Sequence, residues 1–481
     1  MKKLLIITVI GFNYCVGIYF GVLNTVYSVL LALALFVVFR HLRRIKYSPY
    51  KEFTLSSETP PVTILIAMHN EEKVVLRSIR SALATEYPFF EVIIINDGST
   101  DGTLQKVIDE LGLKKVDRVY RTFLKTKPVK GFYYSLETPN LLVIDKEQGG
   151  KADALNCGIN VSRSPYFCSL DADSLLEKDA LIRVMTPLID SNVPVIASGG
   201  VVRIINGLRL TDGITIEEID LPDNTLLLFQ IVEYIRGFLF GRVGWDSLRS
   251  LLILSGTFSL FQKASVVEAG GFMVGNLAED MDMIVRLHRH MLKKKKPYRI
   301  RFVSDPICWT EAPDNFKMLG RQRRRWHLGL IQTIFQNREM TLNPRFGKIG
   351  VLVLPYYILF EILGPVIEVL GYPFVIISYF LGILSFDFLL LFLALAIFYG
   401  VFLSTASIFL EELTFKRYPK WSHLFKLLLY GVLENFGYRQ INSFWRFEAL
   451  IQYLLGRRKW ELVHKKGHEE HMPTNAHGTP Q

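Results

Sequence analysis

Cysteine is scarce in this chain, whose 481 residues include only Cys15, Cys157, Cys168 and Cys308. They form no CxxC pair and have no histidine at ligand spacing, which argues against a zinc site and for a reducing compartment. No strand is followed by GxGxxG and no GxxxxGK[ST] occurs, so a dinucleotide-binding Rossmann site and a P-loop are unsupported. A cleavable signal peptide is unsupported too, because the first apolar stretch is too long and lacks a cleavage site.

The composition is intermediate between those of a membrane protein and a soluble one. Half of the residues are hydrophobic and 21% are charged, and the mean hydropathy is +0.25. These values predict a soluble domain joined to membrane segments, and they exclude a disordered chain, a collagen and a small disulfide scaffold. The net charge of +11 is compatible with nucleic acid, anionic lipid or a phosphorylated substrate as partner.

The first apolar run, Leu4–Phe39, predicts one membrane crossing at about Tyr14–Phe39 after an interfacial segment. A crossing helix needs about 20 residues, so a tight hairpin broken near Gly21 and Asn24 is the alternative. Basic residues follow between 40 and 46. By the positive-inside rule, this cluster places residue 40 onward in the cytoplasm.

The second apolar block, Ile349–Leu410, predicts two crossings, out and back. Glu361 and Glu368 interrupt it, and a charge at the bilayer centre is costly. The part before Gly364 is therefore expected in the interface or against a polar cavity. The whole pattern predicts an N-terminal transmembrane segment at 1–45, a cytoplasmic α/β domain at 55–345, transmembrane helices at 346–412, interfacial or re-entrant helices at 413–460, and a disordered tail at 461–481.

Short β-branched runs predict four buried strands of the cytoplasmic domain. They are Val62–Ala67, Val92–Ile95, Leu142–Ile144 and Tyr166–Leu170. Because helical patterns alternate with them, we expect a mostly parallel α/β sheet. Ligands bind beyond the carboxyl ends of such strands, where polar residues of this chain cluster.

Three acidic clusters are candidates for chemistry. Asp97 could accept hydrogen bonds from a base or ribose, or form an Asx-turn. Asp171 and Asp173 could share Mg²⁺ or Mn²⁺, although Asp173 could instead cap a helix predicted from SLLEKDAL. Glu279 and Asp280 precede an apolar helix, where one carboxylate could act as a general base or complement the helix dipole.

Two basic motifs complement the acids. Gly149–Lys151 follows a strand and precedes a helix, which suits a phosphate. Gln322–Trp326 combines guanidinium donors for a diphosphate with an indole face for a sugar, or forms a basic membrane-proximal helix. Arg118–Lys130 is a basic insertion that suits a flap or a partner surface, and Lys293–Lys296 suits solvated surface near anionic lipid.

In this order the motifs resemble those of the processive, membrane-embedded, inverting family-two glycosyltransferases. These are the synthases of cellulose, chitin, hyaluronan and poly-β-1,6-N-acetylglucosamine. The resemblance covers residues 55–345 most strongly. It implies a GT-A fold, a UDP-sugar donor and Mg²⁺ or Mn²⁺.

The resemblance also implies roles for individual residues. Donor contacts are implied at Ala67, His69, Glu71, Asp97, Lys151, Asp171 and Arg325. Acceptor contacts are implied at Ser255, Gly256, Thr257, Gln322 and Trp326. Asp173 and Asp171 would hold the metal, and Asp280, beside Glu279, would be the catalytic base.

The expected function is that of a multi-pass synthase in the inner or plasma membrane that extends a polysaccharide and passes it through its own helices. N-acetylglucosamine is favoured over glucose by the resemblance. The alternative is a transferase that adds one sugar to a lipid. A non-catalytic membrane-anchored binding protein would leave the acidic clusters without a purpose. Expected partners are the donor, a glycan or lipid acceptor, membrane lipids and accessory export subunits, with no nucleic acid.

Overall fold

A computed structural model describes residues 2–47, 59–211, 214–415, 417–418 and 420–456. The predicted tail, 461–481, lies outside the described residues, and the limits of the other four predicted regions stay predictions.

The central domain is built on one large sheet. Its strands are β1 (Val62–Met68), β2 (Phe90–Asp97), β3 (Lys114–Val116), β4 (Val129–Tyr134), β5 (Leu141–Lys146), β6 (Tyr166–Asp171), β7 (Ser174–Leu176), β8 (Val195–Ile204), β11 (Phe258–Gln262) and β12 (Arg299–Thr310). Their order across the sheet is β3-β4-β5-β2-β1-β6-β11-β8-β12-β7. The hairpin of β9 (Leu208–Thr211) and β10 (Thr215–Ile219) is separate.

The four predicted strands are confirmed and form the parallel centre of the sheet, β5-β2-β1-β6. The expectation of a mostly parallel sheet is wrong for much of its flanks, although β8 and β12 pair in parallel. There β4 runs antiparallel to β3 and β5, and β11 runs antiparallel to β6 and β8. The β4–β5 connection is too short for a parallel crossover, which needs about a dozen residues or more.

Helices pack on the sheet, and Val75–Leu83 buries a single apolar side, where Val75, Ile79 and Ala82 are buried at helical spacing. Lys151–Val161 is instead buried on all sides. The helices up to the second apolar block are α1 (Lys2–Tyr47), α2 (Val75–Leu83), α3 (Thr103–Glu110), α4 (Lys151–Val161), α5 (Ala180–Ile189), α6 (Thr225–Tyr234), α7 (Val243–Ser247), α8 (Lys263–Glu268), α9 (Glu279–Lys293) and α10 (Phe316–Gln336). A π-helical segment, Ile235–Arg242, joins α6 to α7.

The helix predicted from SLLEKDAL is wrong at its start. Ser174–Leu176 is strand β7, which pairs with Cys308, Trp309 and Thr310 of β12. A partner more than a hundred residues away thus overrides a local helical pattern, and α5 begins only at Ala180. Asp173 therefore does not cap a helix at this point.

The N-terminal helix α1 runs unbroken through Gly21 and Asn24, so the hairpin alternative is wrong. Ile6–Arg43 and Phe386–Thr414 are each long and apolar enough to cross a membrane. A third candidate is the pair Ile349–Ile362 and Gly364–Phe380, which is bent by 43° at the break between them. This bend lies where the sequence predicted a change of environment.

Short helical segments compose the C-terminal region. They are π-helical Ile349–Val353, α11 (Leu354–Tyr356), π-helical Tyr357–Ile362, α12 (Gly364–Phe380), α13 (Phe386–Leu393), π-helical Ala394–Phe398, α14 (Tyr399–Thr414), α15 (Trp421–Leu433) and α16 (Tyr438–Leu454). Neither α15 nor α16 meets the length and hydropathy that a crossing requires.

The acidic residues of the second apolar block have partners inside the helical bundle. Arg446 of α16 donates to a carboxylate oxygen of Glu361 at 2.9 Å. The hydroxyl of Tyr19 on α1 donates to Glu368 at 3.3 Å, and Ser443 contacts the same carboxylate. Since paired charges cost less to bury than isolated ones, these contacts explain how the block tolerates them.

The basic insertion Arg118–Lys130 lies against α4. The backbone N–H groups of Phe123 and Leu124 both donate to the side-chain oxygen of Asn160, at 3.0 and 2.9 Å. The insertion connects β3 at the sheet edge to β4. It is far in strand order from β8 and β12, whose Arg203 and Asp305 contact Glu411 and His41 of the apolar helices.

Candidate active site

The ammonium of Lys151 is the centre of the candidate site. Lys151 begins α4 directly after Gly149 and Gly150, and its Nζ lies 2.6 Å from Oδ1 of Asp171 at the end of β6. The same nitrogen donates to the carbonyl of Gly256 at 3.1 Å and lies 3.2 Å from Oε1 of Glu279. Segments that are distant in sequence therefore meet around one cation.

Asp280 lies beside this cation. A Cβ placed on Gly256 would be 3.2 Å from Oδ2 of Asp280 and 3.5 Å from Nζ of Lys151. A side chain at residue 256 would therefore be tight against Asp280 and in ordinary contact with Lys151, which gives a reason for glycine there. Lys151, Asp171, Glu279 and Asp280 are therefore close together, and the catalytic and binding roles of these residues stay predictions.

The electrostatics of the site favour a base. Burial, and then the neighbouring charge of Glu279, raise the pKa of Asp280 above its ordinary value. For Lys151 burial opposes the charged form, but Asp171 and Glu279 outweigh it and raise the pKa of the ammonium. Lys151 is therefore a cation at neutral pH. The pKa of Asp280 is closer to neutral pH than that of an ordinary aspartate, which makes Asp280 a better base.

Asp97 was expected to accept hydrogen bonds from the nucleobase or ribose, but in the structure its carboxylate accepts them from the protein. Its carboxylate is buried and accepts hydrogen bonds from Nζ of Lys146 at 2.7 Å and from the backbone N–H groups of Gly149 and Gly150 at 2.9 and 2.7 Å. Asp97 thus fixes the glycine loop that leads into Lys151. A contact between Asp97 and the nucleotide stays a prediction.

Lys146 and Asp153 are parts of this arrangement that sequence reasoning missed. The fully buried Nζ of Lys146 lies 2.7 Å from both Asp97 and Asp153. A Cβ at Gly149 would lie 2.6 Å from the carboxyl group of Asp153, so only glycine fits there. The position of Lys146 at the end of β5, where ligands of such sheets lie, was the available signal.

Lys146→Met is expected to lower the free energy of unfolding by about 3–5 kcal/mol, because two buried carboxylates lose their shared cation. Thermal unfolding of the detergent-purified protein measures the change as a lower Tm. The control is Arg209→Met, which removes a cation whose side chain is 73% exposed and should change Tm little. Equal Tm values for both variants would contradict the role of Lys146.

The predicted metal pair supplies ligands of a suitable class but not a complete set. Asp173 is buried beside Ser174, whose hydroxyl donates to it at 3.2 Å, and Asp171 is ion-paired with Lys151. Within the described ranges no group of three or more His, Cys, Asp or Glu side chains is placed to hold a metal. Two carboxylates fit Mg²⁺ or Mn²⁺ if substrate oxygens and water complete the coordination.

The residues predicted at the end of β1 lie next to the Asp97 loop. Ala67 is in register with Asp171 on β6, and Nδ1 of His69 is 2.9 Å from the carbonyl of Asp97. The backbone N–H of Glu71 donates to Thr103 at 2.9 Å. Gln148, which the sequence did not single out, lies 3.4 Å from Nε2 of His69.

The loop predicted to contact the acceptor, Ser255–Thr257, is hydrogen-bonded to Asp171, one of the two predicted metal ligands. The carbonyl of Thr257 accepts from the N–H of Asp171 at 3.0 Å. The buried Ser255 hydroxyl accepts from the N–H of Thr257 at 3.2 Å, which is a hydrogen bond within the loop. Gly256 between them reaches Lys151 as described above.

In the Gln322–Trp326 motif, Arg323 is the arginine that faces inward. It is buried and donates to Glu233 at 2.8 Å, and its guanidinium carbon lies 4.5 Å from the ring centroid of Trp326. Trp326 is 40% exposed and Arg325 is exposed. Gln322 buries its side-chain oxygen without a hydrogen-bond donor among the described residues. The motif thus leaves Arg325 and Trp326 accessible to a ligand.

Two protein families match this chain. The family described as "Glycosyl transferase family 2" matches residues 63–122 and 127–263. The one described as "Glycosyl transferase family group 2" matches residues 221–403. Together they span the sheet domain and the first part of the membrane block.

Curated relatives are polysaccharide synthases. The chain is 27% identical over 327 residues to the poly-beta-1,6-N-acetyl-D-glucosamine synthase of Staphylococcus aureus strain COL, covering 67% of this chain and 66% of the relative. The enzyme of the same name from Staphylococcus epidermidis is 26% identical over 295 residues, covering 61% and 60%. The chain thus spans less than two thirds of these relatives.

Solved structures with a similar arrangement share little sequence with it. The mannosyltransferase PcManGT from Pyrobaculum calidifontis, in complex with GDP-Man and Mn²⁺, has a TM-score of 0.49 and 17% identity, covering 86% of this chain and 99% of its own. Staphylococcus aureus TarS 1–349, in complex with UDP-GlcNAc, has a TM-score of 0.37 and 13% identity, covering 82% and 92%.

Proposed function

We propose that this chain, which matches glycosyl transferase family 2, is a glycosyltransferase with the GT-A fold that extends a β-linked polysaccharide from a UDP-sugar donor. The observation that carries the proposal is the Lys151 ammonium bordered by Asp171, Glu279 and Asp280. This arrangement offers a base for an acceptor hydroxyl and a cation for a leaving diphosphate within one site. N-acetylglucosamine is the favoured sugar, because the relatives named above make a polymer of it.

The proposed reaction is a single displacement. Asp280 takes the proton of the acceptor hydroxyl while that oxygen bonds to the anomeric carbon from the face opposite the diphosphate. The bond from the anomeric carbon to the diphosphate oxygen breaks, and UDP leaves with the electron pair. An α-linked donor therefore gives a β-linked product, and one carboxylate base is sufficient.

Lys151 and Arg325 are the proposed cations for the leaving group. A positive charge held in advance where negative charge develops stabilises the transition state most. Lys151 is fixed by its contacts to Asp171 and Gly256, whereas Arg325 is exposed on α10. Asp171 and Asp173 would hold Mg²⁺ or Mn²⁺, which when bound would neutralise diphosphate charge.

The remaining predicted residues divide between the two substrates. Ala67, His69, Glu71 and Asp97 lie at the strand ends and are proposed for the nucleotide, Asp97 by fixing the glycine loop. Ser255, Gly256 and Thr257 are proposed to face the acceptor with Gln322 and Trp326. The half-exposed indole of Trp326 suits the apolar face of a sugar ring.

The proposed location is the inner or plasma membrane, with the sheet domain in the cytoplasm. The apolar helices support membrane insertion, and the basic residues after Phe39 support the orientation. Nucleotide sugars are cytoplasmic, which agrees with that orientation. Passage of the product through the membrane helices, and assembly with export subunits, belong to the same proposal.

The test is UDP release by the detergent-purified protein with UDP-N-acetylglucosamine or UDP-glucose, with and without Mn²⁺. We expect release with N-acetylglucosamine as the preferred sugar, stimulated by Mn²⁺. Radiolabelled product should form a ladder or high polymer. A single lipid-soluble product would favour the transferase that adds one sugar to a lipid, and no release with either sugar would contradict both functions.

The raised pKa of Asp280 predicts the pH dependence of transfer. The base must be deprotonated, so kcat/KM should fall with decreasing pH, and the acid limb should lie above about 3.9, the ordinary aspartate value. Glu279→Gln should move this limb to lower pH, because it removes a negative neighbour. An upward movement, or none, would contradict the assignment of the limb to Asp280.

A further inference from the structure

Arg242 is an arginine of the central domain that the proposed mechanism does not use. It is the last residue of the π-helical segment Ile235–Arg242, and π-helical turns frequently occur at functional sites. Its guanidinium carbon lies 3.7 Å from the ring centroid of Phe238, which holds the group over an aromatic face. Arg242 is therefore a positioned cation.

This cation lacks the partner that comparable arginines have. Three arginines that are more deeply buried than Arg242 each lie within 2.8 Å of a carboxylate: Arg203 with Glu411, Arg286 with Asp282 and Arg323 with Glu233. Within the described part of the chain, the partly buried Arg242 forms no ion pair, and its buried Nη1 has no hydrogen-bond acceptor. Because a buried guanidinium nitrogen without an acceptor is costly, its presence points to an anionic ligand.

The surroundings of Arg242 place it in the candidate active site. Burial lowers its pKa to about 10, and the nearby charge of Asp280 opposes that effect. Asp280 is in turn stabilised as an anion by Arg242 and by Lys151. Trp245, one turn after Arg242, packs in the same apolar cluster as Met281, the neighbour of Asp280, and Leu330 of α10. Arg242 is thus within electrostatic range of the proposed base, on a segment that packs with the start of α9 and with α10.

We propose that Arg242 binds an oxygen of the donor diphosphate, alongside Lys151 and Arg325. A guanidinium matches phosphate oxygens in geometry and charge, and the unsatisfied Nη1 of Arg242 supplies a donor for one of them. The inference rests on the proposed function, since the diphosphate is that of the UDP-sugar. It adds a residue from the π-helical segment to the donor site.

The experiment measures binding of UDP and of uridine to the full-length, detergent-purified protein and to Arg242→Met. We expect the Kd for UDP to rise roughly 10- to 100-fold, as for a lost charge-assisted hydrogen bond. The Kd for uridine, which has no diphosphate, should not change. Arg242→Lys should retain part of the UDP affinity, and Arg209→Met, which removes an exposed cation, should retain all of it.

Thermal unfolding without ligand separates binding from a structural role. Arg242→Met should have a Tm close to that of the unmodified protein, because Arg242 forms no ion pair among the described residues, while the rise in Tm on adding UDP should shrink. A lower Tm without ligand, an equal loss of UDP and uridine affinity, or slower transfer with unchanged UDP affinity would each overturn the assignment. Failure of the unmodified protein to bind UDP would instead contradict the proposed donor.

Discussion

Asp280→Asn is expected to slow sugar transfer by roughly 10²- to 10⁴-fold, the range for loss of a general base. The amide has nearly the shape of the carboxylate but does not accept the acceptor's proton. Lys151 keeps its contacts with Asp171 and Glu279 in this variant. Binding of UDP should therefore stay close to that of the unmodified protein.

Initial rates of UDP release and UDP binding, measured on the same preparation, check this expectation. Glu279→Gln is the matched control, because it removes the neighbouring negative charge and leaves Asp280 in place. Its loss of rate should be the smaller of the two. Normal turnover by Asp280→Asn, or a larger loss of rate for Glu279→Gln, would contradict the assignment of Asp280 as the general base.

Lys151→Met is expected to slow transfer by roughly 10²- to 10³-fold, the magnitude for loss of one preorganised donor to developing negative charge. Unlike Asp280→Asn, it should also weaken UDP binding. Without the ammonium, Asp171, Glu279 and Asp280 face one another and repel the diphosphate. The two variants therefore differ in a measurable way.

Calorimetric UDP binding and the kcat for transfer test Lys151→Met. Lys151→Arg is the control, since it keeps the charge but changes the length and geometry of the group, and it should recover UDP affinity more than kcat. Unchanged UDP affinity in Lys151→Met would place the diphosphate elsewhere. A fall in Tm without ligand would show that Lys151 mainly stabilises the fold.

The sequence predicted the centre of the sheet well because its strands are continuous apolar runs buried on both faces. Val62–Met68 and Phe90–Asp97 differ from the predicted strands only at their ends. The flanks were predicted less well, because β7 and β11 depend on partners far along the chain. Local pattern does not contain that information.

Motifs with several polar residues, such as those of Lys151 and Asp171, indicated where a site could lie, and the structure places these two residues in contact. The sequence left the role of Asp97 open, since an aspartate at a strand end can bind a ligand or fix a loop, and here both of its oxygens accept from the protein. Lys146 was missed because its importance comes from burial, and Arg242 because its buried Nη1 becomes apparent only in the folded chain. The π-helical segment that ends at Arg242 packs against α1 and α14, which are distant in sequence.

The most direct test of the central claim, that one carboxylate base drives a single displacement, is the configuration of the new glycosidic bond. Proton NMR of the product made from UDP-N-acetylglucosamine by the purified protein measures it. We expect a β-linkage with one UDP released for each sugar transferred. An α-linked product, or UDP release with only free sugar formed, would contradict it.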